Sequence, residues 1–356
     1  MTLHKIKPIA AVLCAVCLFL LSACAMPSEN EDTTPSPSLN KDTRMDLLGT
    51  VITLSTYEDV EQQVFDDAFS IVADIESRMS TNLPDSEISH INQNAGQDFI
   101  PVSDDTRALI EAGIAFSDLS GGAFDITVGP VMELWKVDGE FSVRPNDDEI
   151  ADRLHLLNYQ EIVLFADGVL LNQPGMMLDL GGIAKGYACD TVLDYFKAQN
   201  VSCALLDFGG NIYAHGIKPD GTPWKIGVQL PFIGESGVVC AVEAQDASVV
   251  TSGGYERYFE QDGSVYHHIL DPKTGYPVYN GLLSVTIIDG SSTRADALST
   301  SCFVLGLEAG YALLESLPDS EGIFITDKNE IYLTSGLHGR VSLIDSRFRM
   351  IETAPV

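Results

Sequence analysis

The chain of 356 residues carries 20 lysines and arginines against 51 aspartates and glutamates, a formal net charge of −31 that argues against nucleic acid as a partner. The same field opposes an anionic substrate, so any phosphate site here needs a metal ion or a local lysine to reverse the sign. At the start of the chain, His4, Lys5 and Lys7 precede an apolar and small-residue run from Ile9 to Leu21, which leads into Ser22-Ala23-Cys24. A membrane span needs roughly 20 apolar residues, and this run meets a small-residue cleavage site first, so residues 1–23 read as a lipoprotein signal peptide. Cys24 is then the expected lipidation site, and several acyl chains there predict stable anchoring. The bland alternative is an ordinary secretory signal with a chance cysteine. Residues 24–44, rich in Pro, Ser, Thr, Asn, Glu and Asp, have the composition of a disordered tether. The folded domain is expected over 45–356, and the protein is expected outside the cytoplasm, on the outer face of the cell membrane or a periplasm-facing membrane.

Within that domain, Leu47 to Tyr57 alternates as a strand, and Val64, Phe65, Ala68, Phe69, Val72, Ile75 and Met79 recur at helical spacing. Ser103 with Asp104 and Asp105 opens a second helix to about Ala115, and Asp147 to Leu157 reads as a third. Asp167-Gly168 joins the hairpin Ile162–Phe165 and Val169–Leu171. Leu178 begins a strand-to-helix passage, and the helix after it runs to about Ala198. Strands follow at Ala204–Phe208, Trp224–Gln229, Val238–Glu243, Tyr255–Phe259 and Leu283–Ile288. Thr293–Leu305 and Leu307–Leu317 are helical, and Ile323–Thr326 with Ile331–Leu333 closes the chain as a hairpin. Mixing without strict βαβα alternation predicts the α+β class, a single large domain with antiparallel-rich sheets and flanking helices. Cys189, Cys203, Cys240 and Cys302 form no close pair and sit among apolar neighbours, which reads as buried small hydrophobes rather than disulfides.

Chemistry concentrates in four places. In Asp179-Leu180-Gly181-Gly182-Ile183-Ala184-Lys185-Gly186, glycines at a helix start let a ligand approach the backbone, and free N–H groups favour phosphate. Lys185 supplies the local positive charge, although tight packing alone explains such glycines equally well. Asp296 and Thr300 stand four apart and share one helix face, a carboxylate and a hydroxyl of the hard-oxygen kind that Mg2+ prefers. Their other reading is a dipole-paired aspartate and a threonine bonded back to its own turn. His267-His268-Ile269-Leu270-Asp271-Pro272 runs from a strand into a turn, and adjacent histidines face opposite ways, one inward and one toward a cleft. Ala123-Phe124-Asp125 ends a helical segment with an aromatic and a carboxylate, suited to a flat heterocycle but equally to capping a core. Asp207 to Asn211 is read as structural support.

These motifs in this order resemble the ApbE family of FAD:protein FMN transferases. The likeness runs from Leu48-Gly49-Thr50 through Ser77-Arg78-Met79-Ser80, the Phe124 loop, the Asp179 loop, Asp207-Phe208-Gly209-Gly210-Asn211, Thr251-Ser252-Gly253 and His268–Pro277 to Ala295–Thr300. The resemblance implies Mg2+ held by Asp296, Thr300 and the carbonyl of Gly182. It implies FAD, as substrate, against Leu48, Asn82, Ala123, Phe124, Asp125, Asp179, Lys185 and the His268-Ile269 strand. The implied reaction moves FMN from FAD to a Thr or Ser hydroxyl of an extracytoplasmic acceptor, such as a redox-complex subunit, with release of AMP. Asp296, His268 and Lys185 are its catalytic candidates, and the proton acceptor is left open between His268 and a metal-linked carboxylate. Two positions depart from the pattern: Leu48 stands where the family carries methionine, and Asn82 where many members carry an aromatic. The second keeps an FAD diphosphatase open beside the transferase, and a non-catalytic flavin-binding lipoprotein is the remaining alternative.

Overall fold

Strict alternation decides which way each strand faces. In Trp224–Gln229, Trp224, Ile226 and Val228 are buried while Lys225, Gly227 and Gln229 are exposed. The computed structural model describes residues 39–137 and 142–355. Nine strands make the central sheet: Asn40–Leu47, Thr50–Thr56, Ala204–Phe208, Asn211–His215, Ala247–Gly253, Leu282–Asp289, Ser320–Thr326, Glu330–Leu333 and Arg349–Ile351. Their order across the sheet is their order in the chain, and every pair is antiparallel except the last, which is parallel. Trp224–Gln229, Val238–Ala244 and Val341–Leu343 form a second sheet, and Ile100–Pro101, Ile162–Leu164 and Gly168–Leu171 a third.

The described residues hold eight α-helices: α1 (Gln62–Met79), α2 (Glu87–Gln93), α3 (Asp104–Leu119), α4 (Gly129–Trp135), α5 (Asp147–Leu154), α6 (Ala184–Ala198), α7 (Ser292–Leu305) and α8 (Leu307–Glu315). The pleat of the central sheet sorts neighbours between two faces. Val250, Ile287 and Phe324 join the core under α7 and α8, whereas Val249, Ile288 and Ile325 join a core shared with Trp224 and Val242 of the second sheet. A further core packs α1 and α6 on Ile52, Leu54, Leu206 and Phe208. This is the α+β architecture that the mixed pattern predicts.

The edges differ from the sequence reading. The first strand starts at Asn40, inside the stretch read as tether to residue 44. Its ladder runs from Asn40 opposite Thr56 to Arg44 opposite Ile52, and it needs only backbone groups, which composition does not reveal. Arg44 fixes it further, paired with Asp66 at 2.6 Å and standing 4.8 Å over the Phe69 ring. The signal peptide, Cys24 and the rest of the tether before residue 39 lie outside the described residues. Leu178–Leu180 is not a strand, because the Asn92 side chain takes the Leu178 N–H at 2.7 Å and carbonyl at 2.9 Å, and Asp179 N–H donates to Ile126. The strand expected at Tyr255–Phe259 lies at Tyr258–Gln261, and its partner, Ser264–His267, stops before the predicted His268-Ile269 strand. The four cysteines after Cys24 are free and buried.

Candidate active site at the crossing of two helices

Helices α6 and α7 touch where Gly186 has no side chain: a Cβ there would stand 2.3 Å from the carbonyl oxygen of Ser292. Asp190 of α6 locks the crossing. Its carboxylate accepts from the N–H groups of Ser292 and Thr293 and from the hydroxyls of Ser291 and Thr293, all at 2.7 to 2.9 Å, which satisfies orphan donors at the start of α7. One turn into α7 the buried Asp296 carboxylate faces α6. Its Oδ2 accepts from Gly186 N–H at 2.9 Å, and its Oδ1 lies 3.3 Å from Lys185 Nζ. A buried carboxylate is tolerated when so paired.

Thr300 follows on the same face, with Oγ1 3.4 Å from Ser252 Oγ. A Cβ on Gly182 would lie 3.6 Å from that Oγ1 and 2.9 Å from the Phe124 ring, so the glycine lets the backbone close in. Asp179 tightens the same turn, its Oδ1 accepting from Gly181 N–H at 2.7 Å. Gly182, Lys185, Asp296 and Thr300 therefore meet at one place. Among the described residues no group of three His, Cys, Asp or Glu side chains could hold a metal. One carboxylate with a hydroxyl and a carbonyl instead suits Mg2+, which completes its shell with water and substrate phosphate, and the Lys185 ammonium shows that Asp296 Oδ1 draws a cation.

His268 donates from Nδ1 to the Arg257 carbonyl at 3.2 Å, because a carbonyl can only accept; Nε2 is left as an acceptor. Burial, reinforced by the charge of Arg257, holds this imidazole at about 3, so it is neutral. Phe124 is packed into the core, edge-on to Phe116 at 6.4 Å, so its ring caps the interior, and Ala123 beside it is also buried. Burial pushes the Asp125 carboxyl above its ordinary value, opposed by bonds from the Thr127 hydroxyl at 2.6 Å and N–H at 2.7 Å. Leu48 and Asn82 lie at the far end of α1: Leu48 N–H donates to Glu76 at 3.0 Å, and the exposed Asn82 follows the cap residue Ser80. Neither hydrogen-bonds to Lys185, Asp296 or Thr300; Asn82 connects to the Leu178 segment through the 80–86 turn, α2 and the clamp of Asn92.

Two contributors, Asp190 and Glu256, have no role in the sequence reading, and Gly186 stands there only among the loop glycines. Asp190 and Gly186 set the crossing, and Glu256 faces the same charges. Burial pushes the Glu256 carboxyl up to about 7, with Lys185 and Arg257 lowering it and Asp296 raising it. Nothing in the local sequence marks Glu256, because only the fold brings it to α6 and α7. Ser252 was visible in the ordered motifs, but without its contact to Thr300.

The ApbE family model matches residues 48–324, a span that holds every one of these groups. The chain belongs to the ApbE family. An FAD:protein FMN transferase of Klebsiella pneumoniae (strain 342) is 38% identical over 308 residues, covering 86% of this chain and 95% of the relative. Another of that name from Treponema pallidum (strain Nichols) is 36% identical over 298 residues, 80% of this chain and 82% of the relative. Among solved ApbE structures, the flavin transferase of Vibrio cholerae superposes with a TM-score of 0.77 at 28% identity, over 85% of this chain and 100% of that one. The Thermotoga maritima ApbE protein gives 0.79 at 31% identity, over 85% and 99%.

Proposed function

We propose that this chain is a Mg2+-assisted FAD:protein FMN transferase, held at a membrane by lipid on Cys24 and acting on a Thr or Ser of an extracytoplasmic partner. The observation that carries the reading is the meeting of Lys185, Asp296, Thr300 and Gly182 where α6 crosses α7. On an acidic chain this is the local reversal of sign that a pyrophosphate requires, and the relatives named above are FAD:protein FMN transferases. In the reaction, the acceptor hydroxyl oxygen bonds to the FMN phosphorus and the P–O bond to the AMP phosphate breaks. AMP leaves with that electron pair, and the hydroxyl proton passes to a base. Lys185 orients and balances the pyrophosphate charge. His268, neutral and with its Nε2 able to accept, and a metal-linked carboxylate are the two candidate bases. Mg2+, when bound by the Asp296 carboxylate, the Thr300 hydroxyl and the Gly182 carbonyl, supplies further charge neutralisation on the phosphates.

FAD diphosphatase chemistry shares this site and differs in the acceptor, and the exposed Asn82 in an aromatic's place is the observation that favours it. Incubation with FAD and Mg2+, with and without a threonine-bearing acceptor, separates the two. Transfer gives AMP together with covalent flavin on the acceptor. Equal AMP in both tubes without covalent flavin identifies a hydrolase, and no AMP in either removes catalysis altogether.

A further inference from the structure

A groove of about 490 Å³ opens beside the transfer site, with Phe232, Ile233, Tyr255, Tyr279, Phe303 and Asp327 among its walls. Three parts of the chain that build the site continue directly into it. On α7, Phe303 lies about one turn past Thr300. Ser252, which touches Thr300, is followed two residues later by Gly254 in the groove wall. His267 lines the groove while its neighbour His268 bonds to the Arg257 carbonyl on the other side.

The floor of the groove is built and neutral. The His267 ring sits 5.2 Å from Tyr279 and 5.9 Å from Phe303, and a Cβ on Gly254 would meet it at 2.7 Å. Its Nδ1 accepts from Ile269 N–H, so its proton is on Nε2, donated to the Val278 carbonyl. Among the side chains named, Asp327 alone carries a formal charge. Tyr279 is 65% exposed and Ile233 40%, apolar surface left in water at the rim. Of the positions that the resemblance gives to FAD, Phe124 and Leu48 belong to the core under α1 and α6, while Ile269 shares the core under α7 and α8 with Phe303, Val278 and Leu282. The groove therefore adjoins the site along the His267–Ile269 segment and leaves the core around Phe124 and Leu48 apart from it.

We propose that this groove seats the extended segment of the acceptor protein that carries the target hydroxyl, with an apolar side chain at Ile233 and Tyr279 and a lysine or arginine at Asp327. The proposal rests on the transfer reading above. Its occupant follows from the groove's continuity with the site and from charge: a chain of net −31 whose groove presents one carboxylate steers and selects a basic segment.

The test uses a positional-scanning library of decapeptides with a central threonine, with covalent flavin fluorescence as one readout and AMP release from FAD without peptide as the other. Wild type is expected to modify peptides with a basic flank and an apolar flank. Asp327→Lys should shift that preference to acidic flanks, and Ile233→Asp should raise KM for the preferred peptide at least tenfold. AMP release from FAD alone, and KM for FAD, should stay at wild-type values for both. A raised KM for FAD in these variants assigns the groove to a ring of the dinucleotide and overturns the proposal. Unchanged peptide selection in both variants overturns it too, as does a wild type that modifies all peptides of the library alike. A wild type that modifies no peptide, with or without release of AMP, is a different failure, that of the transfer reading itself.

Discussion

At Asp296 the two readings of one carboxylate diverge. A helix-dipole partner contributes about 0.3 to 1 kcal/mol of stability. A carboxylate that holds Mg2+ against a pyrophosphate contributes to the rate itself. Asp296→Asn keeps an oxygen able to accept from Gly186 N–H but removes the charge that Lys185 faces. Transfer is expected to fall at least about 100-fold, the scale seen when a positioned charge-stabilising group is lost. Thr300→Val should cost less, because water can replace a neutral hydroxyl, and added Mg2+ should partly restore that variant alone. AMP release across a Mg2+ titration checks the ordering, and near-normal transfer by Asp296→Asn at low Mg2+ removes the metal from this residue.

His268 makes a prediction about acid. The folded state holds its imidazole at about 3, while the unfolded chain takes a proton near the ordinary 6.5. Below 6.5 the unfolded chain therefore binds more protons, so stability is full above that pH and is lost as pH falls toward 3. In protein free of FAD and metal, His268→Asn should lose less stability than wild type between pH 7.5 and 5. Urea unfolding at the two pH values measures the difference. Identical losses would mean that His268 is not shielded from protonation in the folded state.

The elements that matter most are α6 and α7, because their contact sets the distance between Lys185 and Asp296. Gly186→Ala forces a methyl against the Ser292 carbonyl and should cost about 1 to 3 kcal/mol, the usual range for overpacking, together with most of the transfer activity. Asp190→Ala removes the acceptor of four hydrogen bonds at the start of α7. The loss of a cap is worth about 0.5 to 2 kcal/mol, and KM for FAD should rise as α7 shifts. Thermal melts with steady-state kinetics check both, and a Gly186→Ala enzyme that is fully stable and active refutes the contact. Helix α7 was legible, and so were α1 from its apolar stripe and α3 from the Ser103 cap with its early acids. The strands Asn211–His215 and Ala247–Gly253 were not, because strands covered on both faces lack the alternation that betrays a half-exposed one. Leu178–Leu180 misled for the opposite reason, an apolar run whose backbone is held by a side chain instead of a ladder. The candidate site was readable as residue types but not as a constellation, since Asp190 and Glu256 acquire meaning only across the crossing.

On the scale of the whole molecule, the domain is one of two regions to explain; the other is the segment before it, proposed above to be a lipoprotein leader ending at Cys24. Cys24→Ser removes the thiol proposed to accept the lipid and should leave the protein unprocessed or released from membranes, with transfer in detergent-free solution unaffected. Partition between membrane and soluble fractions, with mass measurement of the amino terminus, decides it. A variant that is still processed, acylated and membrane-bound refutes the anchor.

The chain-order layout of the central sheet also says how the protein comes to exist. Seven of its strands lie after residue 203, and two pairs of them, Ala204–Phe208 with Asn211–His215 and Ser320–Thr326 with Glu330–Leu333, are tight hairpins that form as local events of about 1 to 10 μs. The seam between Thr50–Thr56 and Ala204–Phe208 is different, because Thr56 lies opposite Ala204 and roughly 150 residues must first loop back. That closure also brings α1 onto α6 and so completes the core beside Lys185. During synthesis the ribosome delivers the first two strands long before their partner exists, and they wait as an exposed edge until most of the domain has emerged.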